Sequence, residues 1–305
     1  MTLQQCRYLA EIARQHSISK AAAALYVTQP SLSKSMKELE TELAITVFQR
    51  GNRGVELTKD GSELLAYAKT LLAQEEAVRW HFGRRAADRV RLAVSSQHFG
   101  FAAAAAARLI NSLAGREYEF TLREGKAADV VEDVFAGRSE AGVLSVSNWN
   151  LELYERYFSS RSLAFTPLLT MREYVFMRAE HPLAGRGSVS LAELRGYPYF
   201  TYRRDDVPLD FAEEFVDEGA AGRVVYLGDR GTMNNLLAAT DGWNLGTGCI
   251  VKGFMNPNIV SVPLEERTEL RVGCVRKAGL SLPEEAAQFI EFLTGALKES
   301  APPQR

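Results

Sequence analysis

The sequence predicts a multidomain α/β chain: an N-terminal winged helix-turn-helix over residues 1–58, a long linker helix over 59–88, and a two-lobed α/β domain over 89–305. Lobe I is expected at about 89–165 and 268–305, lobe II at about 166–267. Three observations predict this. Residues 3–43 carry three short helical patterns, the last opening on Thr28-Gln29-Pro30. A helical pattern then runs unbroken from Lys59. From Arg89 on, strand-like and helix-like stretches alternate, which indicates an open, mostly parallel sheet with helices on its faces.

Leu3, Tyr8, Leu9, Ile12 and Ala13 recur near helical spacing, so residues 3–15 form the first helix. Ser17-Ile18-Ser19 breaks it, and the Ser19 hydroxyl is suited to cap a second helix from Lys20 to Leu25. The small residues Ala21, Ala22, Ala23 and Ala24 let another helix cross closely. Tyr26-Val27 turns the chain, and Thr28 caps a third helix. Pro30 is tolerated there because a first-turn N–H has no intrahelical partner. Leu32, Met36, Leu39 and Leu43 are spaced by four, three and four and mark the buried face. Ser31, Ser33, Lys34, Ser35, Lys37 and Glu38 occupy the other face. Two short strands, Val47–Arg50 and Val55–Leu57, flank Gly51-Asn52-Arg53-Gly54, whose residues tolerate positive φ.

Thr58 caps a helix from Lys59 to about Arg85, roughly 40 Å long. Leu57, Leu64, Ala68, Leu71, Val78 and Phe82 keep a three-four rhythm along it. So small a head cannot cover that stripe, and a matching helix from a second subunit is its expected cover.

In the remainder, strands are expected at Val90–Val94, Tyr118–Leu122, Ala141–Val146, Tyr174–Met177, Tyr199–Tyr202, Val224–Leu227, Gly246–Val251 and Glu269–Val275. Helices are expected at Phe99–Leu113, Ala128–Ala136, Phe211–Glu218, Thr232–Ala239 and Pro283–Leu297.

The net charge of −2 excludes a generic polycationic coat, so any DNA binding must be local. Cys6, Cys249 and Cys274 are far apart and suggest neither a metal cluster nor a disulfide framework; they read as buried small hydrophobes. The N-terminus lacks a charged start followed by an apolar run, so no signal peptide is expected. The longest run of small apolar residues, Phe101–Ala107, falls far short of the roughly 20 residues that span a bilayer. The expected compartment is the cytoplasm, with no membrane contact.

A recognition helix needs short polar and basic side chains on one face and a packed apolar stripe on the other, and residues 29–43 meet both needs. Gln29 is suited to a bidentate contact with adenine. Ser31, Ser33, Lys34 and Lys37 reach for phosphates or base edges, while Arg50 and Arg53 on the wing suit the backbone or minor groove. Charge alone does not argue this, because the head is only slightly basic. The order of elements does.

These residues resemble the LysR-type transcription regulators, a family of bacterial DNA-binding proteins. The resemblance is carried by Ala21-Ala22 with Leu25, then Val27 through Lys34, Leu39-Glu40, Leu43, Phe48-Gln49-Arg50 and Leu57-Thr58 with Gly61. It continues more weakly through His181-Pro182-Leu183-Ala184 and Gly246 with Gly248. It implies a dimerising linker helix, an effector domain like a periplasmic binding protein, and dimers that pair into tetramers. It marks Gln29, Pro30, Ser33, Lys34 and Arg53 as DNA-contacting positions; with Thr28 at the cap, Ser31 and Lys37 on the same helix face and Arg50 on the wing, these are the DNA-contact candidates. RNA polymerase is a further candidate partner. Two positions depart from the family pattern. Lys34 stands where arginine is common, and Ala44 stands where glycine usually ends the recognition helix, which puts the left-handed cap there in question.

The effector is expected in the cleft where strands end and helices begin. Ser95, Ser96 and Gln97 end the first strand of this domain, and the following helix start favours an acid. The resemblance implies inducer contacts there and at Thr201, Tyr202, Gly246 and Thr247. Trp243 either reshapes this cleft or packs beside it, and Arg203 and Arg204 read as surface charges that could also meet an acidic ligand. A catalytic reading is weak. Ser95-Ser96-Gln97-His98 lacks the glycine elbow of a hydrolase serine, and neither a P-loop nor GxGxxG follows a strand, so no cofactor is expected. A solute-binding module whose head serves only assembly is the other alternative, and the polar face of the third helix speaks against it.

Overall fold

The computed structural model describes residues 1–51, 54–83, 89–202, 222–266 and 268–303. Arg53, the helix end at 84–85, Arg203 and Arg204 and the helix expected at Phe211–Glu218 lie outside the described residues. The chain divides between Ala86 and Ala87 into two compact units (Ala136–Arg138 group with the first).

In the head, α1 (Leu3–Gln15) starts with a capping box between Thr2 and Gln5. The second helix, α2 (Ile18–Ala24), is capped by Ser17, which accepts from the Lys20 N–H, and not by Ser19 as the sequence suggested. The helix begins two residues earlier than expected, which makes Ser19 a first-turn residue and leaves its hydroxyl to another partner. Thr28 caps α3 (Gln29–Leu43) by accepting from the Ser31 N–H at 3.3 Å. Leu32, Met36 and Leu39 are buried against Leu9, Ile12, Ala21 and Ala22.

Ala44 closes α3 in the left-handed conformation, φ 53° and ψ 37°, so the cap survives without glycine. The Glu40 carboxylate then accepts the N–H groups of Val47 and Phe48 at 2.7 and 3.3 Å, tying the wing to α3. The wing is the antiparallel pair β1 (Phe48–Gly51) and β2 (Gly54–Leu57). Gly54 sits at φ +125°, where a Cβ would lie 2.4 Å from the carbonyl oxygen of His16. Only glycine allows that approach, and the Val55 N–H then donates to the same oxygen.

The Thr58 hydroxyl accepts from the Gly61 N–H at 2.9 Å and starts α4 (Lys59–Gly83), about 37 Å long. Its apolar residues split between two faces. Leu64 and Ala68 are buried in the head core, and Arg7 of α1 grips Glu75 through both carboxylate oxygens at 2.6 Å. Tyr67, Leu71 and Val78, in register on an adjacent face, are 62, 40 and 56% exposed. The head thus covers only part of the stripe.

The second unit runs β3 (Val90–Ser96), α5 (Gly100–Ser112), β4 (Tyr118–Glu124), α6 (Ala127–Phe135), β5 (Ala141–Ser147), α7 (Leu151–Ser160) and β6 (Leu163–Arg172). It continues with β7 (Tyr174–Arg178), α8 (Leu191–Leu194), β8 (Tyr199–Tyr202), β9 (Val224–Leu227), α9 (Arg230–Ala239), β10 (Asn244–Gly246) and β11 (Ile259–Pro263), and closes with β12 (Glu269–Lys277) and α10 (Glu284–Ser300).

One lobe is a five-stranded sheet in the order β4-β3-β5-β12-β6. The strands β3, β4 and β5 are parallel, but β12 runs antiparallel to β5 and β6 because the chain returns from the other lobe before adding it. Helices α5 and α10 bury Phe101, Ala105, Leu109, Phe289 and Leu293 against this sheet. The other lobe pairs β10-β7-β11 antiparallel and β8 with β9 parallel, the two joined by a bridge from Tyr199 to Trp243. The expected mostly parallel sheet is therefore mixed.

Two further departures bear on the junction of the lobes. The strand expected at Gly246–Val251 lies earlier and is short, and Gly248 then takes φ +74°. The unexpected β6 reaches Arg172 within the five-stranded sheet, so the chain crosses between lobes at Glu173 instead of near residue 166. Its alternation is too weak to read, with exposed residues at Thr166 and Pro167. No described helix is long and apolar enough to cross a membrane.

Candidate functional site

The exposed face of α3 gathers Gln29, Pro30, Ser31, Lys34 and Lys37, with Thr28 exposed at its cap and Ser33 half-buried. The hydroxyl of Thr28 donates to Ser31 at 2.9 Å, and that of Ser19 donates to the side-chain oxygen of Gln29 at 2.9 Å. Lys34 and Glu38 stand 3.9 Å apart on the surface, a pairing worth little in water. Arg50 pairs through its backbone with Val55 in the wing. Tyr26, read from the sequence only as part of the turn, stands beside the exposed face of α3. It holds φ 56° in the turn before α3 and is 97% exposed, an unusual conformation for a bulky side chain beside the reading face.

In the second unit a cavity of about 80 Å³ lies between the two lobes. Gln97, Tyr202, Gly246 and Thr247, four of the seven expected effector contacts, line it. Ser95, Ser96 and Thr201 do not. The Ser95 hydroxyl donates to Asp133 at 2.6 Å and bonds Ser139 at 2.8 Å, and the Ser96 hydroxyl donates to the carbonyl of Gln97. Both serines hold β3 and its exit turn in place. Ser95 has its partners in Asp133 and Ser139, so it forms no nucleophile–base pair with His98. Trp243 packs in the core on Tyr199, its Nε1 donating to the carbonyls of Leu194 and Tyr197.

The Oε1 of Gln97 accepts from Ser145 through both the backbone N–H and the hydroxyl, which fixes the amide at the cavity wall. Next to it α5 begins with Phe99 at its cap, a residue with no side-chain oxygen to satisfy the first N–H groups. No local sequence signal pointed to the remaining wall residues. His98 stacks on Tyr202 at 3.8 Å, and its Nδ1 lies 3.1 Å from Glu124. Arg230, the first residue of α9, donates to Glu124 at 3.1 Å and to the carbonyl of Phe254 at 3.2 Å. Burial works against the ionised form of Glu124, but His98 and Arg230 hold its carboxyl below the usual range. These contacts bridge the lobes at the cavity mouth. Glu173 lines the cavity from the crossing between lobes, 5% exposed, and burial pushes its carboxyl above the usual range despite a hydrogen bond from Thr268.

The three cysteines are buried, and burial raises each thiol, that of Cys274 to about 12. Such thiols are poor nucleophiles. Among the described residues no cluster of His, Cys, Asp and Glu is suited to a metal.

Two family models match the chain in turn. That of bacterial regulatory helix-turn-helix proteins of the LysR family matches residues 3–62, and that of the LysR substrate binding domain matches residues 83–298. The chain is 28% identical to the HTH-type transcriptional regulator SsuR of Burkholderia cenocepacia over 232 residues, 74% of this chain and 72% of that protein. It is 28% identical to the regulator CysB of the same organism over 213 residues, 66% of this chain and 63% of that protein. Among solved structures, full-length CbnR complexed with its target DNA superposes with a TM-score of 0.58 at 18% identity, over 97% of this chain and 100% of that one. A full-length OxyR variant from Pseudomonas aeruginosa gives 0.54 at 20% identity, over 99% of both chains. At that identity the two structures speak for the fold alone.

Proposed function

Because the chain belongs to the LysR family of bacterial transcription regulators, with a DNA-binding helix-turn-helix domain and an effector-binding domain, we propose that it reads promoter DNA with the outer face of α3 and is switched by a small acid in the cleft between its two lobes. The observation that carries the reading is the exposed row Gln29, Ser31, Lys34 and Lys37 on a helix whose other face is locked into the head core. Gln29 reads a base edge, Ser33 and Pro30 pack along the groove wall, and Lys34, Lys37 and Thr28 engage phosphates. Arg50 and Arg53 on the wing follow the neighbouring backbone. Lys34 supplies a point charge where an arginine would supply a fork.

The exposed stripe Tyr67, Leu71 and Val78 supports pairing of α4 with the same helix of a second subunit. Two heads in a dimer then dock in successive major grooves, and dimers pair into tetramers. Ligand in the cleft favours one arrangement of the lobes over another and so biases the spacing of the heads, a shift of population. RNA polymerase is the partner such a regulator contacts next, and the cytoplasm is where it meets DNA.

DNase footprinting on the DNA upstream of its own gene tests this. The expected result is paired half-sites with centres roughly 34 Å apart or a multiple of that. A single unpaired site, or uniform protection without sequence preference, overturns the paired-head reading.

A further inference from the structure

Glu173 occupies one of the two strand crossings between the lobes, and its N–H donates to the carbonyl of Thr268 on the other crossing. Glu173 lines the cleft cavity and is only 5% exposed. The side chain of Thr268 gives it one hydrogen bond, and among the described residues it makes no ion pair. A carboxylate buried without a cation is expensive, so such a group is either protonated or completed by a charged partner from outside. The cation that shares the cavity wall, Arg230, is already committed to Glu124 and to the Phe254 carbonyl. Among the described residues the Glu173 carboxyl therefore has one hydrogen bond and no cation. The cavity is also lined by Gly100 and Phe101, the first residues of α5, a helix of 13 residues whose opening N–H groups no side chain caps. That end favours an anion.

We propose that the cleft takes a small zwitterion of the amino-acid type, its ammonium group seated on the Glu173 carboxylate and its carboxylate at the start of α5. This rests on the reading of the cleft as the effector site and adds the ammonium to the acid. The size agrees, since a cavity of about 80 Å³ admits a small molecule and not only a single water. The position of Glu173 also gives the ligand leverage. An ammonium held there engages one of the strand connections that join the lobes, so occupancy and any change of lobe angle are coupled.

The test is a thermal-shift and calorimetric titration of the full chain with three matched series: the protein amino acids, the same acids without the amino group, and the same amines without the carboxylate. At least one amino acid should raise the melting temperature by several degrees, while its des-amino acid and its decarboxylated amine bind about tenfold or more weaker. Glu173→Gln, which keeps the shape, should lose about tenfold or more in affinity for that amino acid and nothing for the des-amino acid. Glu173→Asp should recover part of the loss. If the des-amino acids bind as tightly as the amino acids, or if Glu173→Gln binds the amino acid like the wild type, the ammonium seat is overturned and the effector cleft stands. A flat response to all three series overturns both.

Discussion

The Ser19 hydroxyl of α2 donates to the side-chain oxygen of Gln29 at 2.9 Å, so the amide at the start of the reading helix is already oriented before DNA arrives. An amide that reads adenine uses its oxygen as acceptor and its NH2 as donor together. Holding the oxygen from behind limits the rotamers the side chain must give up on binding. Gln29→Ala should therefore cost about 1–3 kcal/mol at the base pair it reads. Ser19→Ala should cost less, on the order of 0.5–1.5 kcal/mol, the ordering of one side chain. Fluorescence anisotropy on the footprinted site measures both. Tighter binding by Ser19→Ala would mean that the hydroxyl competes with the base instead of presenting the amide.

Lys34 is exposed, and its surface partner Glu38 at 3.9 Å holds it only weakly. Lys34→Ala should weaken binding to all sequences alike and reduce the slope of log affinity against log salt by about 0.9, the release of one counterion. An unchanged slope would remove Lys34 from the phosphate contacts.

Ala44 carries a left-handed conformation that costs a residue with a Cβ roughly 1–2 kcal/mol. Ala44→Gly relieves it, against the greater freedom that glycine gives the unfolded chain. A net gain of about 0.5–1 kcal/mol in head stability is expected, read as a higher urea midpoint. A lower midpoint would show that the methyl group packs more than the backbone strains.

His181 is buried beside the ring of Tyr197, and its Nδ1 accepts from the Leu183 N–H at 3.1 Å. Burial holds its pKa below the usual 6.5, although Asp241 pulls the other way. The folded state therefore resists a proton that the unfolded chain accepts. Above 6.5 both states are neutral at this residue and it contributes no slope. As the pH falls through 6.5, stability is lost at up to about 1.4 kcal/mol per pH unit. Unfolding of His181→Gln between neutral and mildly acidic pH should show a shallower loss than the wild type. Parallel curves would exclude the residue as the source.

What was legible in the sequence is what adjacent residues determine. Thr28, Gln29 and Pro30 announce the start of α3 because a cap and a first-turn proline act within one turn, and Thr58 does the same for α4. Ser17 and Ser19 show the limit of that logic. Either hydroxyl suits a cap, but Ser17 holds the extended conformation a cap needs and Ser19 lies inside the first turn. The cleft was read only in outline because its walls are assembled across long separations. Glu124 meets Arg230, His98 meets Tyr202, and Glu173 meets Thr268, and no local pattern foretells any of these pairs. Ser95 and Ser96 were plausible ligands as hydroxyls at a strand end. Asp133 and Ser139 engage the Ser95 hydroxyl instead, and the Ser96 hydroxyl turns to the Gln97 carbonyl.

Sequence-specific DNA reading by the head is measured in a single titration. The full chain is titrated by anisotropy against the DNA upstream of its own gene and against a scrambled duplex of the same length, at near-physiological salt. Binding to the upstream DNA should be roughly 10³-fold or more tighter than to the scrambled duplex. Gln29→Ala should narrow that ratio. Equal affinity for the two duplexes, with Gln29→Ala indistinguishable from the wild type, would contradict sequence-specific reading by the head.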